Sequence, residues 1–271
     1  MTSDTDTYQV VIIKYGTLAT KKSNVYLNYH LYHDVDEEIR MDYFFWVLRN
    51  AQRTIVVDTG FSRRGGDVRG RTTVTDVAEL LNEVGVDAAM SPDVIMTHAH
   101  YDHIGNLDLF PSSRVFLARK ELEFWNSRHG GRAMFHHSIE DEELRHLNEV
   151  NTQGRLHLFD TTLTVAPGVD VLVVGGHTPG QAVVKVRTSE GTVLLASDAI
   201  HFYEEYDRDR LFMSVADLIA MYEGFDRVRE MQESGEIDHL VAGHDPSTLG
   251  RFAPASGHYA QQIATIGTVV T

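Results

Sequence analysis

Short apolar runs that end at a histidine or an aspartate constrain the fold of this chain more than any other feature. One run ends at Met96, directly before the segment 97–103, and three others end just before His177, Asp198 and His244. Short apolar runs bounded by glycine and polar residues are typical of buried strands. Because strand ends feed the loops on which a rigid scaffold gathers its functional groups, we expect these four strand ends to meet at one site.

The segment 97–103 reads Thr-His-Ala-His-Tyr-Asp-His and holds three imidazoles and one carboxylate. Side chains two positions apart on an extended segment point the same way, so His98 and His100 can meet one metal ion. Asp102 and His103 fall in the turn that follows and can face a second ion. Neutral imidazole and carboxylate are ligands that suit zinc and similar divalent metals. The motif therefore predicts hydrolysis by a metal-activated water.

The ordered set of histidines and aspartates resembles the metallo-β-lactamase superfamily. The set is His98, His100, Asp102, His103, His177, Asp198 and His244. The turn 58–60, Asp-Thr-Gly, is similar to an early turn of that superfamily, where Asp58 either orients a ligand or shapes the turn. The segment 176–181, Gly-His-Thr-Pro-Gly-Gln, is most similar to the N-acyl-homoserine lactonase group. This resemblance implies an α+β fold, the four-layer αββα sandwich, with a dinuclear metal site at one edge between the two sheets.

By the same resemblance, the seven side chains divide into two metal sites that share one carboxylate. His98, His100 and His177 would hold the first ion, Asp102, His103 and His244 would hold the second, and Asp198 would bridge both. The expected cofactor is two divalent metal ions per chain, with zinc as the expected metal. The expected reaction is the opening of a lactone, or of a related cyclic ester or amide, of a small organic molecule. A metal-bridging hydroxide is the expected nucleophile.

Two residues are predicted to take part in catalysis. Asp102, beside the bridging water, is expected to pass a proton to the leaving oxygen. His201 follows Asp198 by three positions, where the lactonase group commonly has a tyrosine whose hydroxyl supports the substrate carbonyl. An imidazole can donate the same hydrogen bond. Tyr203 and Tyr206 are alternative donors for this role.

Three other functions stay open at this point. A glyoxalase II-like thioesterase shares these ligands, but that family adds a basic helical region, whereas positions 245–271 contain Arg251 as their only Lys or Arg. A persulfide dioxygenase shares much of the motif but uses one iron, held by two histidines and an aspartate. A non-catalytic relative would usually have lost ligands, and this chain has the full set.

Composition limits the classes of partner. The 271 residues include no cysteine, which excludes disulfides and thiolate ligands. A net charge of −15 disfavours nucleic-acid binding, which relies on Lys and Arg. The polar start and the absence of a long apolar segment predict a cytoplasmic enzyme with a small-molecule substrate and no membrane partner. Since no linker or repeat divides the chain, residues 1–271 are expected to form a single metallo-β-lactamase-like domain, whose oligomeric state the sequence does not give.

Two segments are predicted to be loops that shape a pocket. Residues 16–37 are rich in tyrosine and lie where the lactonases have a loop over the substrate, and residues 125–138 combine glycines with aromatic side chains. Plain surface connections would show the same composition. Residues 159–165 are predicted to form one continuous strand.

Overall fold

The computed structural model describes residues 6–269, in which helices are distributed among strands. The strands, numbered along the chain, are β1 Gln9–Lys21, β2 Glu38–Arg49, β3 Thr54–Val57, β4 Thr72–Thr73, β5 Asp93–Ile95, β6 Val115–Ala118, β7 Leu156–Phe159, β8 Thr162–Ala166, β9 Val169–Val173, β10 Ala182–Thr188, β11 Gly191–Ser197, β12 His239–Ala242, β13 Ala253–Pro254 and β14 Ile263–Ile266. The α-helices are α1 Arg63–Asp67, α2 Val77–Glu83, α3 Tyr101–Ile104, α4 Arg119–Trp125, α5 Ala133–His136, α6 Asp141–Thr152, α7 Tyr203–Asp207 and α8 Leu218–Glu233. Short 3₁₀ helices lie at Lys22–Asn24, Tyr29–Tyr32, Ala88–Met90, Leu107–Leu109 and Leu249–Arg251.

The strands form two sheets. The first sheet has the order β13-β14-β1-β2-β3-β5-β6-β7, with β4 paired to β1, and the second has the order β12-β11-β10-β9-β8. In the first sheet β1 and β2 are antiparallel, with Val10 opposite Leu48, whereas β3, β5, β6 and β7 run parallel. The second sheet is antiparallel except for the parallel pair β11 and β12. The carboxyl ends of β5 and β11 therefore open onto loops that carry the motif residues.

Apolar side chains on both faces of the strands explain the continuous hydrophobic runs in the sequence. On β1, Val10 and Ile12 pack into the core between the two sheets, while Val11 and Ile13 pack on the opposite face. The same alternation divides β11, since its side chains belong to the core between the sheets or to the core under α8. Strands that are covered on both faces need apolar residues at successive positions, which gives runs rather than alternation.

Helices cover the outer faces of both sheets. Leu80 of α2, Leu122 of α4 and Leu147 of α6 pack on the outside of the first sheet. Phe225 and Val228 of α8 pack on the outside of the second sheet. The predicted αββα layering is confirmed. The ends of the predicted domain, 1–271, lie outside the described residues, and its assignment as one domain stays a prediction.

The prediction of a loop over residues 16–37 is wrong for its first part. Strand β1 continues to Lys21 and pairs with β2 as far as Glu38, after a register shift between Lys14 and Gly16. A Cβ at Gly16 would lie 2.6 Å from the Phe61 ring. The glycine therefore permits a close approach within a strand instead of ending it. The loop proper begins at the 3₁₀ helix Lys22–Asn24.

The predicted strand over residues 159–165 is two strands in different sheets. Strand β7 ends at Phe159 in the first sheet, and β8 begins at Thr162 in the second. Asp160 and Thr161 make the crossing, and both are exposed. A uniform apolar pattern does not reveal a change of partner strand, because the pattern records burial and not pairing.

No helix between residues 6 and 269 combines the length and the apolar character that crossing a membrane would require.

Candidate metal centre

Four strand ends bring the motif residues together. Strand β5 ends at Ile95, and the chain then passes through the irregular segment 96–100 into α3. This segment and α3 carry His98, His100, Asp102 and His103. The second sheet supplies the other three side chains, which follow its strands β9, β11 and β12 and are His177, Asp198 and His244. All seven side chains are buried, so both sheets contribute to one enclosed cluster.

The seven side chains form two groups, each with its possible ligand atoms within 4.8 Å of one another. The first group is His98, His100, His177 and Asp198, and the second is Asp102, His103 and His244. These are the residues that the sequence analysis singled out as ligands. Their arrangement suits a dinuclear metal site.

Asp198 lies between the two groups and turns a different oxygen to each. Its Oδ2 lies 3.3 Å from His177 Nε2 and 3.7 Å from His98 Nε2. Its Oδ1 lies 3.0 Å from His244 Nε2 and 3.2 Å from His103 Nε2. A carboxylate that bridges two cations needs this division of its oxygens.

Three of the histidine rings have an Nδ1 atom that faces away from the cluster and contacts an oxygen, which can only accept a hydrogen bond. His244 Nδ1 lies 2.9 Å from the Asp42 carbonyl, and His177 Nδ1 lies 2.7 Å from the Ser214 carbonyl. His103 Nδ1 lies 2.8 Å from Asp58 Oδ2. The Nδ1 atoms of His177 and His244 must therefore carry the proton, which leaves an Nε2 lone pair directed at the cluster. Hydrogen bonds of this kind fix the tautomer and orientation of metal-binding histidines.

Several inward-facing atoms have no hydrogen-bond partner among the described residues. They are His98 Nε2, His103 Nε2, His244 Nε2 and Asp198 Oδ1. The lone pair of His244 Nε2 thus faces a carboxylate oxygen 3.0 Å away in a buried site. Two unpaired acceptors at this distance repel each other, and a cation that both ligate removes the repulsion. The donor set therefore fits divalent metal ions.

Electrostatic effects within the cluster favour the metal-binding form of four of these side chains and oppose it for His103. Burial lowers the pKa of His98 and His100 well below its usual range and lowers that of His177 to about 3. Burial alone would raise the pKa of Asp198, but the charges of His244, His103 and His201 hold it well below its usual range. For His103, burial opposes protonation, and the carboxylates of Asp198, Asp58 and Asp102 outweigh it and raise its pKa. Neutral imidazole and ionised carboxylate are the ligating states.

Asp58 holds the motif segment in place, as one of its two predicted roles required. It is fully buried, and its Oδ1 accepts a hydrogen bond from the Thr97 backbone N–H at 2.8 Å. Its Oδ2 contacts the Thr97 hydroxyl at 2.8 Å as well as the ring of His103. The backbone φ of Asp58 is 59°, which lies in the left-handed region. Asp58 therefore orients a ligand and shapes a turn at the same time.

Glu121, on α4, joins two of the ligand-bearing loops, and the sequence analysis did not identify it. Its Oε1 accepts hydrogen bonds from the Ala99 N–H at 3.0 Å and from Trp125 Nε1 at 2.7 Å. Its Oε2 accepts from the Thr178 hydroxyl at 2.7 Å and from the Gly180 N–H at 2.9 Å. Burial raises the pKa of Glu121, and these four donors act in the opposite direction. The carboxylate thus joins the segment that carries His98 and His100 to the loop that follows His177.

His201 lies against the cluster but away from the cavity. Its Nε2 is 3.3 Å from Asp198 Oδ2, and its Nδ1 is 3.1 Å from Glu205 Oε2. The ring stacks on Phe212 at a centroid distance of 3.8 Å and is fully buried. Burial opposes protonation, but Glu205 and Asp198 raise the pKa of His201 to about 9. Tyr203 and Tyr206, the alternative donors, bond to the Leu240 carbonyl and to Gln232 Oε1 instead.

A cavity of about 700 Å³ opens onto the cluster. Its walls include His100, Asp102, His177 and Asp198. The remaining walls are largely apolar and come mainly from both of the segments predicted to shape a pocket, from residues 68–71 and from residues 212–216; they include Val25, Trp125, Met134, Phe135, Phe212 and Met213. A small organic molecule fits such a cavity in size and polarity.

A strand sandwich with a His/Asp cluster at the edge between its sheets defines a class of metal-dependent enzymes. Residues 42–244 match the family model described as the metallo-beta-lactamase superfamily. The chain therefore belongs to the metallo-β-lactamase superfamily.

Curated relatives lie in one group of that superfamily. The chain is 25% identical over 217 residues to the N-acyl homoserine lactonase AiiA of Bacillus thuringiensis subsp. kurstaki, covering 74% of this chain and 80% of the relative. It is 24% identical over 269 residues to the N-acyl homoserine lactonase AttM of Agrobacterium fabrum, covering 93% and 98%. The predicted resemblance to the lactonase group, and to metal-dependent hydrolases of that kind, is confirmed.

Solved structures show the same fold. An N-acyl homoserine lactone hydrolase with N-hexanoyl-L-homoserine bound at its catalytic metal centre aligns with a TM-score of 0.72 at 19% identity, covering 88% of this chain and 94% of the other. AidC, described as a dizinc quorum-quenching lactonase, aligns with a TM-score of 0.70 at 18% identity, covering 99% and 100%. At these identities the likeness concerns the fold alone.

Proposed function

We propose that this protein is a dinuclear metal-dependent hydrolase that opens a lactone, or a related cyclic ester or amide, of a small organic molecule. The observation that carries the proposal is the division of the two Asp198 oxygens between two sets of histidines. The curated lactonases AiiA and AttM, which are similar over most of the chain, support the choice of a cyclic ester as substrate.

The proposed ligands are those of the two clusters. His98, His100 and His177 hold the first ion, Asp102, His103 and His244 hold the second, and Asp198 bridges both; the unpaired nitrogens at their centre support this assignment. Zinc is the proposed metal, since imidazole and carboxylate suit it and AidC is described as a dizinc enzyme. When bound, two such ions would supply a shared hydroxide as nucleophile at neutral pH and would offset negative charge on the carbonyl and leaving oxygens.

The side chains of the cavity bind and orient the substrate and move one proton. The apolar walls exclude water from a bound ring or acyl group. Asp102 lies on the cavity wall, and its Oδ2 is 3.8 Å from His244 Nε2 and 3.9 Å from His103 Nε2. From this position its carboxylate would accept the proton that the attacking hydroxide still carries and deliver it to the leaving oxygen.

His201 stays a residue predicted to contribute to catalysis, but its position indicates an effect through Asp198 and not through direct contact with the substrate. Phe212 separates its ring from the cavity, and its Nε2 faces Asp198 instead of the open space. We propose that His201 acts through Asp198 by fixing the orientation of that carboxylate. A direct hydrogen bond to the substrate carbonyl would require Phe212 to move.

The deciding experiment combines elemental analysis with a hydrolysis panel of lactones, linear esters and thioesters. We expect two divalent ions per chain and turnover of one or more lactones. Asp198→Asn should abolish turnover and lower metal occupancy, whereas Asp160→Asn, at an exposed position outside the centre, should change neither. One iron per chain with oxygen consumption would instead indicate a persulfide dioxygenase, and turnover restricted to thioesters would indicate a glyoxalase II-like enzyme. A cytoplasmic location and the absence of a nucleic-acid partner stay predictions.

A further inference from the structure

Two arginines line the cavity that opens onto the metal centre. They are Arg69 and Arg71, from the segment that connects α1 to β4. Among the described residues, no other Lys or Arg lines this cavity. A cation on the wall of a largely apolar cavity is stabilised by a partner within the protein or by a counter-charge on a ligand.

Arg69 is already paired. Its Nη1 donates to Glu140 Oε1 at 2.7 Å and to the Gly65 carbonyl at 3.0 Å. Its Nε donates to the His137 carbonyl at 3.1 Å, and the guanidinium stacks on the Tyr101 ring at 4.1 Å. The charge of Arg69 is therefore used in holding the wall of the cavity together.

Arg71 has no such partner. Its Nε donates to the Tyr101 hydroxyl at 3.0 Å, and its Nη1 donates to the Arg69 carbonyl at 2.7 Å. A guanidinium has five N–H donors, so three of them, on Nη1 and Nη2, find no acceptor among residues 6–269. No carboxylate oxygen from the same residues forms an ion pair with it within 4.0 Å, and the Asp102 carboxylate acts on its charge only from a greater distance, although the side chain is only partly exposed.

The position of Arg71 relates it directly to the metal centre. Tyr101, which receives its Nε–H, lies in the chain between His100 and Asp102. The guanidinium carbon is also 6.0 Å from the Tyr43 ring, whose centroid is 4.9 Å from that of His244. A substrate whose reacting carbonyl lies at the metal centre can therefore place another of its groups within reach of Arg71.

We propose that Arg71 is an anion-binding subsite of this cavity and that the substrate carries one carboxylate in addition to its cyclic ester. The inference rests on the proposed function, because it takes the cavity as the substrate site. The two terminal nitrogens of a guanidinium match the two oxygens of a carboxylate. One unpaired cation corresponds to one anionic group, and the apolar walls suit the rest of the molecule. The substrate class is a lactone monocarboxylate.

The test compares two lactones that differ chiefly in the charge of one side group. One is a lactone with a carboxylate side chain, and the other is the same lactone with that carboxylate converted to its methylamide. We expect kcat/KM of the wild-type enzyme to favour the acid by about 10- to 100-fold, the range for a charge-assisted hydrogen-bonded pair. Arg71→Met should remove this preference by lowering kcat/KM for the acid much more than for the methylamide, while Arg71→Lys should retain part of it.

Arg63→Met is the matched control. Arg63 is exposed on α1, lies outside this cavity and pairs with Asp76, so its replacement removes the same charge from the helix that precedes the Arg71 segment. It should leave the acid preference intact. Equal turnover of acid and methylamide by the wild-type enzyme would overturn the proposal. So would an equal loss on both substrates in Arg71→Met, which would indicate a structural role through Tyr101.

A separate result would indicate failure of the proposed function. If the metal-loaded wild-type enzyme opens neither lactone, calorimetric titration with the same two compounds still decides on the subsite. Tighter binding of the acid that is lost in Arg71→Met would support it, and equal binding of both compounds would refute it.

Discussion

Asp198 and His201 lie three positions apart on one loop but in different surroundings. Asp198 reaches the cavity and is contacted by histidines of both groups, whereas His201 is enclosed by Phe212 and Glu205. The sequence singled out the seven side chains that the structure brings together, because strand-like runs deliver them in order. It did not predict the cover over His201, because Phe212 comes from a later segment with no regular pattern. It also gave no sign of Arg71, since an unpaired charge is visible only when its neighbours are known.

His201→Ala is expected to lower kcat by about 10- to 100-fold while both metal ions stay bound, because the side chain positions a ligand without being one. Elemental analysis and steady-state kinetics on the same preparation measure the metal content and kcat. His201→Gln, which keeps a hydrogen-bond donor, should recover part of the activity. Loss of a metal ion from His201→Ala would instead place this residue among the ligands.

Glu143, on α6, should make stability depend on pH. Burial raises its pKa from the ordinary 4.5 to about 7, and its Oε1 receives the Ser62 hydroxyl at 2.9 Å. The folded state thus holds a proton that the unfolded state has released, so the free energy of unfolding falls as pH rises from 4.5 to 7. The loss is at most roughly 3 kcal/mol. Denaturant unfolding at several pH values should show that Glu143→Gln removes this decrease, while Glu142→Gln, at an exposed neighbour, keeps it.

Secondary-structure elements place the site through their ends and through one helix. Gly243 follows β12, and a Cβ there would overlap the carbonyl oxygen of Ser197 at the end of β11. The glycine thus lets two strand ends approach and brings His244 beside Asp198. Runs of apolar residues predicted these strands well. They did not predict the break after Phe159 or the strand beyond Gly16, because pairing partners and bulges depend on the other strand.

Replacing the carboxylate that α4 places between two loops should disturb the first metal site. In Glu121→Gln an amide NH₂ would face two donors, either those of Ala99 and Trp125 or those of Thr178 and Gly180. Leaving them unpaired should cost about 2–4 kcal/mol of stability and lower metal affinity. Thermal unfolding and competition with a chelator measure the two effects. Glu123→Gln, at an exposed position on the same helix, is the control, and an equal effect there would contradict the positioning role.

At the scale of the whole molecule, the proposed ligands of each ion come from both sheets. The first sheet supplies the motif segment and α3, and the second supplies His177, Asp198 and His244. Packing of apolar side chains holds the sheets together elsewhere, but at this edge charged and polar groups face one another. The fold prediction matched the structure because the order of these residues resembles that of a known superfamily, whereas periodicity alone indicates only a mixture of helices and strands.

Removal of the metal ions is therefore expected to destabilise the entire fold. Treatment with a chelator should lower Tm by roughly 10 °C or more, since ligands that bind only the folded state add their binding free energy to its stability. Differential scanning calorimetry with and without chelator measures the shift, and added zinc should reverse it. An unchanged Tm would contradict a cluster held together by cations.

The division of the ligands between β5–α3 and the ends of β9, β11 and β12 has a consequence for biogenesis. Neither sheet alone carries all the proposed ligands of either ion, so we expect complete coordination to follow docking of the two sheets. Cells starved of the metal would accumulate a loosely closed form of this chain, and proteases that attack such forms would then set how much of the enzyme survives.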